Sequence, residues 1–227
     1  MLRTKADSAH LLDLGLRPYR EIWALQHAIH KRVADGRQGD TWIVVEHPPV
    51  ITLGRTAKQQ NVLLSRQLLA ARGVDVVKVE RGGDVTYHGP GQLVVYPILR
   101  LPRFREVVPL VRRLEGAIID ACAEFDIVAE RWREHAGVWV GRKQICAFGL
   151  AVQRMTSLHG LALNVSTDLS YDRLITPCGL PDRGITSISA EVGRAVSVED
   201  AKPALLGALS RSFSVEFIAL SDELKTG

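Results

Sequence analysis

The stretch Arg81-Gly82-Gly83-Asp84-Val85-Thr86-Tyr87-His88-Gly89-Pro90-Gly91-Gln92 puts four glycines, a proline, an arginine and a histidine into twelve residues, directly after the apolar run Val76 to Val79. Glycine at this density lets the backbone take positive φ and lets main-chain N–H groups come close to a ligand. Arg81, Thr86, Tyr87 and His88 add polar side chains to the same surface. The stretch reads as a ligand loop. It lacks the G-K-[ST] ending of a phosphate loop, and its spacing is not a G-x-G-x-x-G that opens a helix. A hairpin turn by itself accounts for two of its glycines, not four.

Before the loop, Pro18 stands where a first helical turn tolerates it. Ile22, Leu25, Ile29 and Val33 then recur at helical spacing until Gly36, so residues 18–35 read as an amphipathic helix. Trp42 to Glu46 and Val50 to Leu53 are short strand-like runs broken by His47-Pro48-Pro49. After the loop, Leu93 to Ile98 continues as a strand. Val107, Leu110, Val111, Leu114, Ala117, Ile118, Ala121, Cys122 and Phe125 form the clearest helical stripe of the chain. Val138 to Val140, Ile145 to Val152 and Leu161 to Val165 alternate with turns, and Val198 to Phe213 reads as a last helix. Strands grouped between helices, without regular β-α-β alternation, predict a single α/β domain of the α+β type with a mixed sheet. Its core is expected over roughly residues 11–215 of 1–227, with 216–227 as a tail outside it.

Composition narrows the function. The chain has 227 residues, 46% apolar and 24% charged, as in ordinary soluble domains. No stretch approaches the ~18 apolar residues of a membrane span, and the first residues lack the order of a secretion signal, so the expectation is a cytoplasmic protein with no membrane partner. A net charge of +4 gives mild attraction to anionic partners, but the basic residues are scattered and no nucleic-acid motif is present.

The three cysteines include no C-x-x-C pair, so each is expected as a free thiol. Cys122 lies on the helical stripe and Cys146 in a strand apolar on both faces, which makes both packing residues. Cys178 differs, because Pro177 restricts the backbone before it and Gly179 frees the backbone after it. That setting holds either a thiol at a cleft or a buried loop cysteine. His47 reads as a turn residue with a satisfied imidazole, while His88 and His159 stand beside glycines in expected loops and are open to ligand contact. None of these three histidines has a ligand at the i+3 or i+4 spacing of helical zinc sites, and H-E-x-x-H and G-x-S-x-G are both absent.

Arg81-Gly82-Gly83 through His88-Gly89-Pro90-Gly91-Gln92, Gly149-Leu150, His159-Gly160-Leu161-Ala162-Leu163-Asn164, and Pro177-Cys178-Gly179 with Thr186-Ser187 together resemble the lipoyl(octanoyl) transferases. The ordered set spans residues 42–190. The resemblance implies the fold shared with biotin and lipoate protein ligases and a reaction without cofactor or metal. Octanoyl-acyl carrier protein is the implied donor. The acceptors are lysines in lipoyl domains of 2-oxoacid dehydrogenase complexes and in the glycine-cleavage carrier protein. It puts the acyl-thioester nucleophile on Cys178, and substrate binding on Arg81, Gly82, Gly83, Asp84, Val85, Thr86, Tyr87, His88, Ala147, Phe148, Gly149, Gly160, Leu161 and Ala162. A thioester exchange is nearly balanced in energy and needs a thiolate, an oxyanion pocket and an apolar channel, but no nucleotide.

One position departs from the pattern. The family resembles itself in carrying a lysine just before the strand that holds Cys146, where it lowers the thiol pKa; here ungapped matching from Gly137 to Gly149 puts Gln144. Lys143 is its neighbour, and because strand side chains alternate it replaces that ammonium only if a bulge turns the strand. Cys178 is therefore expected to borrow Lys143 or His88, or to work with a smaller thiolate fraction. The rival readings are an ATP-dependent lipoate or biotin ligase, which needs no cysteine nucleophile, and a weakened relative that only binds carrier or lipoyl-domain proteins. With no unassigned apolar stripe left over, the expected state is a monomer.

Overall fold

The computed structural model describes residues 7–132, 135–176 and 184–220. Its elements run β1 (Asp7–Leu16), α1 (Tyr19–Ala34), β2 (Thr41–Glu46), β3 (Val50–Leu53), α2 (Arg66–Ala71), β4 (Asp75–Lys78), β5 (Val85–His88), β6 (Gln92–Ile98), α3 (Val107–Ala123), β7 (Glu130–Arg131), β8 (Gly137–Val140), β9 (Lys143–Gln153), β10 (Thr156–Asn164), β11 (Gly184–Ile185), α4 (Ile188–Val192), α5 (Val198–Phe213) and β12 (Val215–Ala219). The large sheet has the order β12-β1-β2-β6-β10-β9-β8-β7, with β11 also paired to β9. A small sheet has the order β4-β3-β5.

The alternation of buried side chains sets the layers. In β2, Trp42 and Val44 point to a core shared with α3 and α5, while Ile43 and Val45 point to a second core with α1. A strand covered on both faces must be apolar at successive positions, and Thr-Trp-Ile-Val-Val satisfies that. The helical stripes land as expected: Ile22, Ile29 and Val33 of α1 and Leu110, Leu114, Ala117, Ile118, Ala121 and Cys122 of α3 are buried. A third, smaller core joins the small sheet to α2 through Ile51, Val85, Tyr87 and Leu69. The result is the expected mixed sheet flanked by helices.

Three expectations change. The glycine-rich stretch is not one loop: residues 85–88 form β5, paired antiparallel with β3 from Val50↔His88 to Leu53↔Val85. His159 lies inside β10 rather than in a loop. The chain beyond 215 does not leave the fold at once, because Val215–Ala219 is an edge strand parallel to β1. It alternates half-buried and exposed residues, a pattern too short and polar to stand out from a tail.

Candidate active site

Arg81 ties the glycine-rich stretch to the small sheet. Its side chain is buried, and its Nε and Nη2 donate to Thr52 Oγ1 at 3.0 and 2.9 Å. Nη2 also donates to the Thr52 carbonyl at 2.7 Å, and Nη1 to the Gly82 carbonyl at 2.9 Å. Gly149 leaves the space for this, since a Cβ there would lie 2.9 Å from Arg81 Cδ. The main chain of the stretch is fixed as well: Gly82 N–H donates to the Leu150 carbonyl, and Arg55 and Thr56 N–H to the carbonyls of Arg81 and Gly83. Asp84 accepts from the Lys58 N–H at 3.1 Å and from the Asn61 amide, so its carboxylate braces the neighbouring loop and not a ligand. Arg81→Met is expected to cost about 3 kcal/mol, because it strands the Thr52 and Gly82 carbonyls that a charged donor had satisfied. The thermal midpoint should then fall by roughly 6–12 °C. Arg81→Lys should recover little of this, since one ammonium cannot make the same fork.

Two cavities meet across β5. Thr86 and His88 line the first, with Tyr19, Arg81, Tyr96, His159, the strand segment Ala147-Phe148-Gly149 and its partner Gly160-Leu161-Ala162. Val85 and Tyr87, on the opposite face of β5, line the second with Gln92, Gln144, Asn164, Thr167, Ile175 and Ile185. Thr86 and Ala147 are half-buried and belong to both cavities, so they form the sill between them. Of the residues expected to bind substrate, Gly82, Gly83 and Asp84 line neither cavity; they hold the wall from behind.

Cys178 lies outside the described residues. The chain on either side of it is anchored at the second cavity: Thr176 N–H donates to the Asn61 carbonyl, Ile175 bridges to Val62, and Ile185 pairs with Gln144. The other two thiols are far from being nucleophiles. Burial pushes Cys122 up to about 12 and Cys146 well above the ordinary thiol value, as expected for packing residues.

The position of Gln144 is decided by a bulge. Trp139 pairs with Gln144 and Val138 with Cys146, so Ile145 is an extra residue in β9. Without it, Gln144 and Cys146 would share a face. With it, Gln144 turns onto the face of Ala147 and the second cavity, and Lys143 stays on the opposite face and is exposed. Gly137 opposite provides the room, because a Cβ there would meet the Gln144 Nε2 at 2.6 Å. The bulge that the lysine needed is present, but it delivers the glutamine.

His88 supplies no charge either. Its ring stacks on Tyr19 with centroids 5.9 Å apart, and its Nδ1 lies 2.7 Å from Gln92 Oε1, which makes Nδ1 the protonated nitrogen. Gln92 Nε2 in turn donates to Asn164 Oδ1, and Asn164 Nδ2 to the Thr186 carbonyl. Burial, with the His47 ring as the next cause, lowers His88 to about 3. His47 has both nitrogens occupied, by the Arg17 carbonyl at 2.8 Å and the Tyr96 hydroxyl at 2.9 Å, as expected for a satisfied turn histidine. Burial lowers it to about 4. No group of three His, Cys, Asp or Glu side chains among the described residues is placed to hold a metal.

The chain that builds this site has known relatives. Residues 18–210 match the lipoyl protein ligase A/B catalytic domain. The chain belongs to that family. An octanoyltransferase of Salinispora arenicola is 41% identical over 208 residues, 89% of this chain and 94% of the relative. One of Acidobacterium capsulatum is 46% identical over 197 residues, 81% and 80% of the two chains. The chain is thus an acyltransferase of the octanoyltransferase family. Its fold is also that of a solved lipoate-protein ligase A bound with ATP, with a TM-score of 0.82 at 16% identity, covering 96% of this chain and 92% of the other. A biotin protein ligase from Aquifex aeolicus is more distant, at a TM-score of 0.52 and 12% identity over 90% and 68% of the two chains.

Several lining residues of this octanoyltransferase-family enzyme were not singled out from the sequence. Gln92 and Asn164 close the quoted motifs and carried that signal. Tyr19, Tyr96 and Ile175 look like any helix or strand residue until the sheets pack together.

Proposed function

We propose that the enzyme takes an octanoyl group from acyl carrier protein, holds it as a thioester on Cys178 and passes it to a lysine of a lipoyl domain. The observation that carries this reading is the two-part cleft. One part sits where the chain flanking Cys178 is anchored, and the other runs beside it along Gly160-Leu161-Ala162 and Phe148, with more apolar than polar surface, which favours an alkyl chain. In the first half, the Cys178 thiolate attacks the donor carbonyl and the carrier thiolate leaves. In the second, the lysine amine attacks the enzyme thioester, Cys178 leaves as thiolate, and one proton is released overall. The Thermoplasma acidophilum lipoate protein ligase, similar in fold at a TM-score of 0.79 and 17% identity, was solved as a system with its E2 lipoyl domain, which favours that class of acceptor. Incubation with octanoyl-carrier protein and no ATP should add one octanoyl increment, mapped to the peptide holding Cys178. An ATP requirement for any acylation would instead select the ligase reading.

With Lys143 on the far face and His88 neutral, Cys178 works without a fixed cation from either. Gln144→Lys should lower the midpoint of the pH profile of thiol alkylation by about 1.5 units, from about 8.5 toward about 7. The thiolate fraction at pH 7 then rises about 15-fold, but a less basic thiolate is a weaker nucleophile by roughly 5-fold at a Brønsted slope near 0.45. The net gain in rate at pH 7 should be about 3-fold. Lys143→Ala should leave the midpoint in place. An unmoved midpoint in Gln144→Lys would remove Gln144 from the thiol's surroundings.

A further inference from the structure

His159 is the only non-glycine residue with positive φ, at 57°, inside a strand among the described residues. The other four lie at the β9–β10 hairpin turn or at helix ends. Along β10, Leu161 and Leu163 face the core of α3 and α5 while Ala162 faces that of α1. By the period of two, His159 would join Leu161 and Leu163. The left-handed residue breaks that period and swings the imidazole to the α1 side, a conformation that persists only where surrounding contacts hold it.

Those contacts are specific. The His159 N–H donates to Gln26 Oε1 at 2.9 Å, and its Nε2 lies 3.2 Å from Glu80 Oε1. Trp23 Nε1 donates to both Glu80 oxygens at 3.2 and 3.3 Å, and His27 Nε2 lies 2.8 Å from Oε1. Trp23, Gln26 and His27 share one helix face, so α1 backs the imidazole through Glu80. Burial alone would raise the Glu80 carboxyl, but the contact with His159, its own backbone and Trp23 outweigh burial and hold it at about 2, ionised at neutral pH. Neither imidazole nitrogen completes a hydrogen bond: Nε2 meets Glu80 only as the 3.2 Å contact, and Nδ1 is buried with no partner, in a residue that lines the first cavity.

We propose that His159, backed by Glu80, is the polar end stop of the acyl cavity and sets the length of acyl chain the enzyme accepts. This rests on the acyl-transfer reading of the site. An acyl group entering over the Thr86–Ala147 sill runs along β10 from Ala162, which pairs with Ala147, to His159. That is three strand residues, or about 10 Å. An extended chain of ~1.5 Å bonds at tetrahedral angles advances about 1.3 Å per carbon, so about eight carbons fill the distance. Burial in an apolar cavity favours each added methylene. At this end the next methylene meets the imidazole, whose polar atoms it covers without offering a hydrogen bond, and the sign reverses.

The test compares kcat/KM of the full-length enzyme for octanoyl-, decanoyl- and dodecanoyl-carrier protein. Wild type should discriminate against dodecanoyl by at least about tenfold, and H159A should raise the dodecanoyl-to-octanoyl ratio by about tenfold or more, mostly through KM. H159Q, which keeps a polar end, should hold the wild-type order. A ratio unchanged in H159A overturns the proposal. If H159A does not fold, H159G, which takes the positive φ without strain, decides: a ratio raised about threefold or more carries the proposal, and an unchanged one overturns it. Wild type that forms no octanoyl adduct would instead overturn the reading of function on which it stands.

Discussion

Replacing Cys178 with alanine is expected to lower octanoyl transfer by at least about three orders of magnitude, since removal of a covalent nucleophile takes away the intermediate itself. The expectation rests on elimination as much as on the Pro-Cys-Gly setting. Cys122 is packed between α3 and the sheet and Cys146 on the same side of β9, both with no exposed surface. Burial disfavours their thiolates so strongly that neither offers a measurable fraction at neutral pH. Iodoacetamide at pH 7 should therefore modify the native wild-type enzyme once and Cys178→Ala not at all. Octanoyl transfer that survives in Cys178→Ala would end the thioester mechanism and return the ligase chemistry to first place.

The second large effect is on stability in mild acid. His47 and His88 are held neutral by burial, at about 4 and about 3, whereas an unfolded histidine titrates near 6.5. Between those values the unfolded chain binds two protons that the folded chain does not. Their contribution to stability is complete above about pH 6.5 and is lost as the pH falls, at about 1.4 kcal/mol per pH unit for each ring. From pH 6.5 to pH 5 the loss for the two rings integrates to about 3 kcal/mol, a large part of the stability of a typical domain. The window above pH 5 separates this from the carboxylates with lowered values, among them Glu80 at about 2, whose stabilisation is lost only at lower pH. Urea unfolding at half-unit steps from pH 7 to pH 5 measures the slope, which His47→Gln should reduce by about half. A free energy of unfolding that stays flat across this range would mean that the rings are already hydrated.

The histidine cluster shows how far the sequence alone reaches. His47 and His88 are separated by a turn, α2 and the small sheet, yet their rings lie 6.0 Å apart because β3 and β5 pair Val50 with His88. Hydrophobic spacing specified α1, α3 and α5, and β-rich runs between turn residues specified most of the sheet. Motif chemistry specified the wall at Arg81 and Thr86 to His88, and the strand segments around Phe148 and Leu161. Those are local properties, and local order preserves them. The short edge strand Val215–Ala219 was missed because its support, pairing with β1 and packing of Phe217 on Trp42, comes from residues distant in sequence.

What only the tertiary structure decided is the direction of a few side chains. A period-two reading of β9 puts Gln144 beside Cys146, and the extra residue at Ile145 turns it to the cavity and leaves Lys143 on the other face. A period-two reading of β10 puts His159 in the α3 and α5 core, and a left-handed backbone turns it to Glu80. Both reversals come from one residue whose backbone departs from the pleat, which costs energy locally and is repaid by partners distant in sequence. The sequence by itself determined which motifs line the candidate site; the packing of one sheet against α1 determined which of their side chains face its cavities.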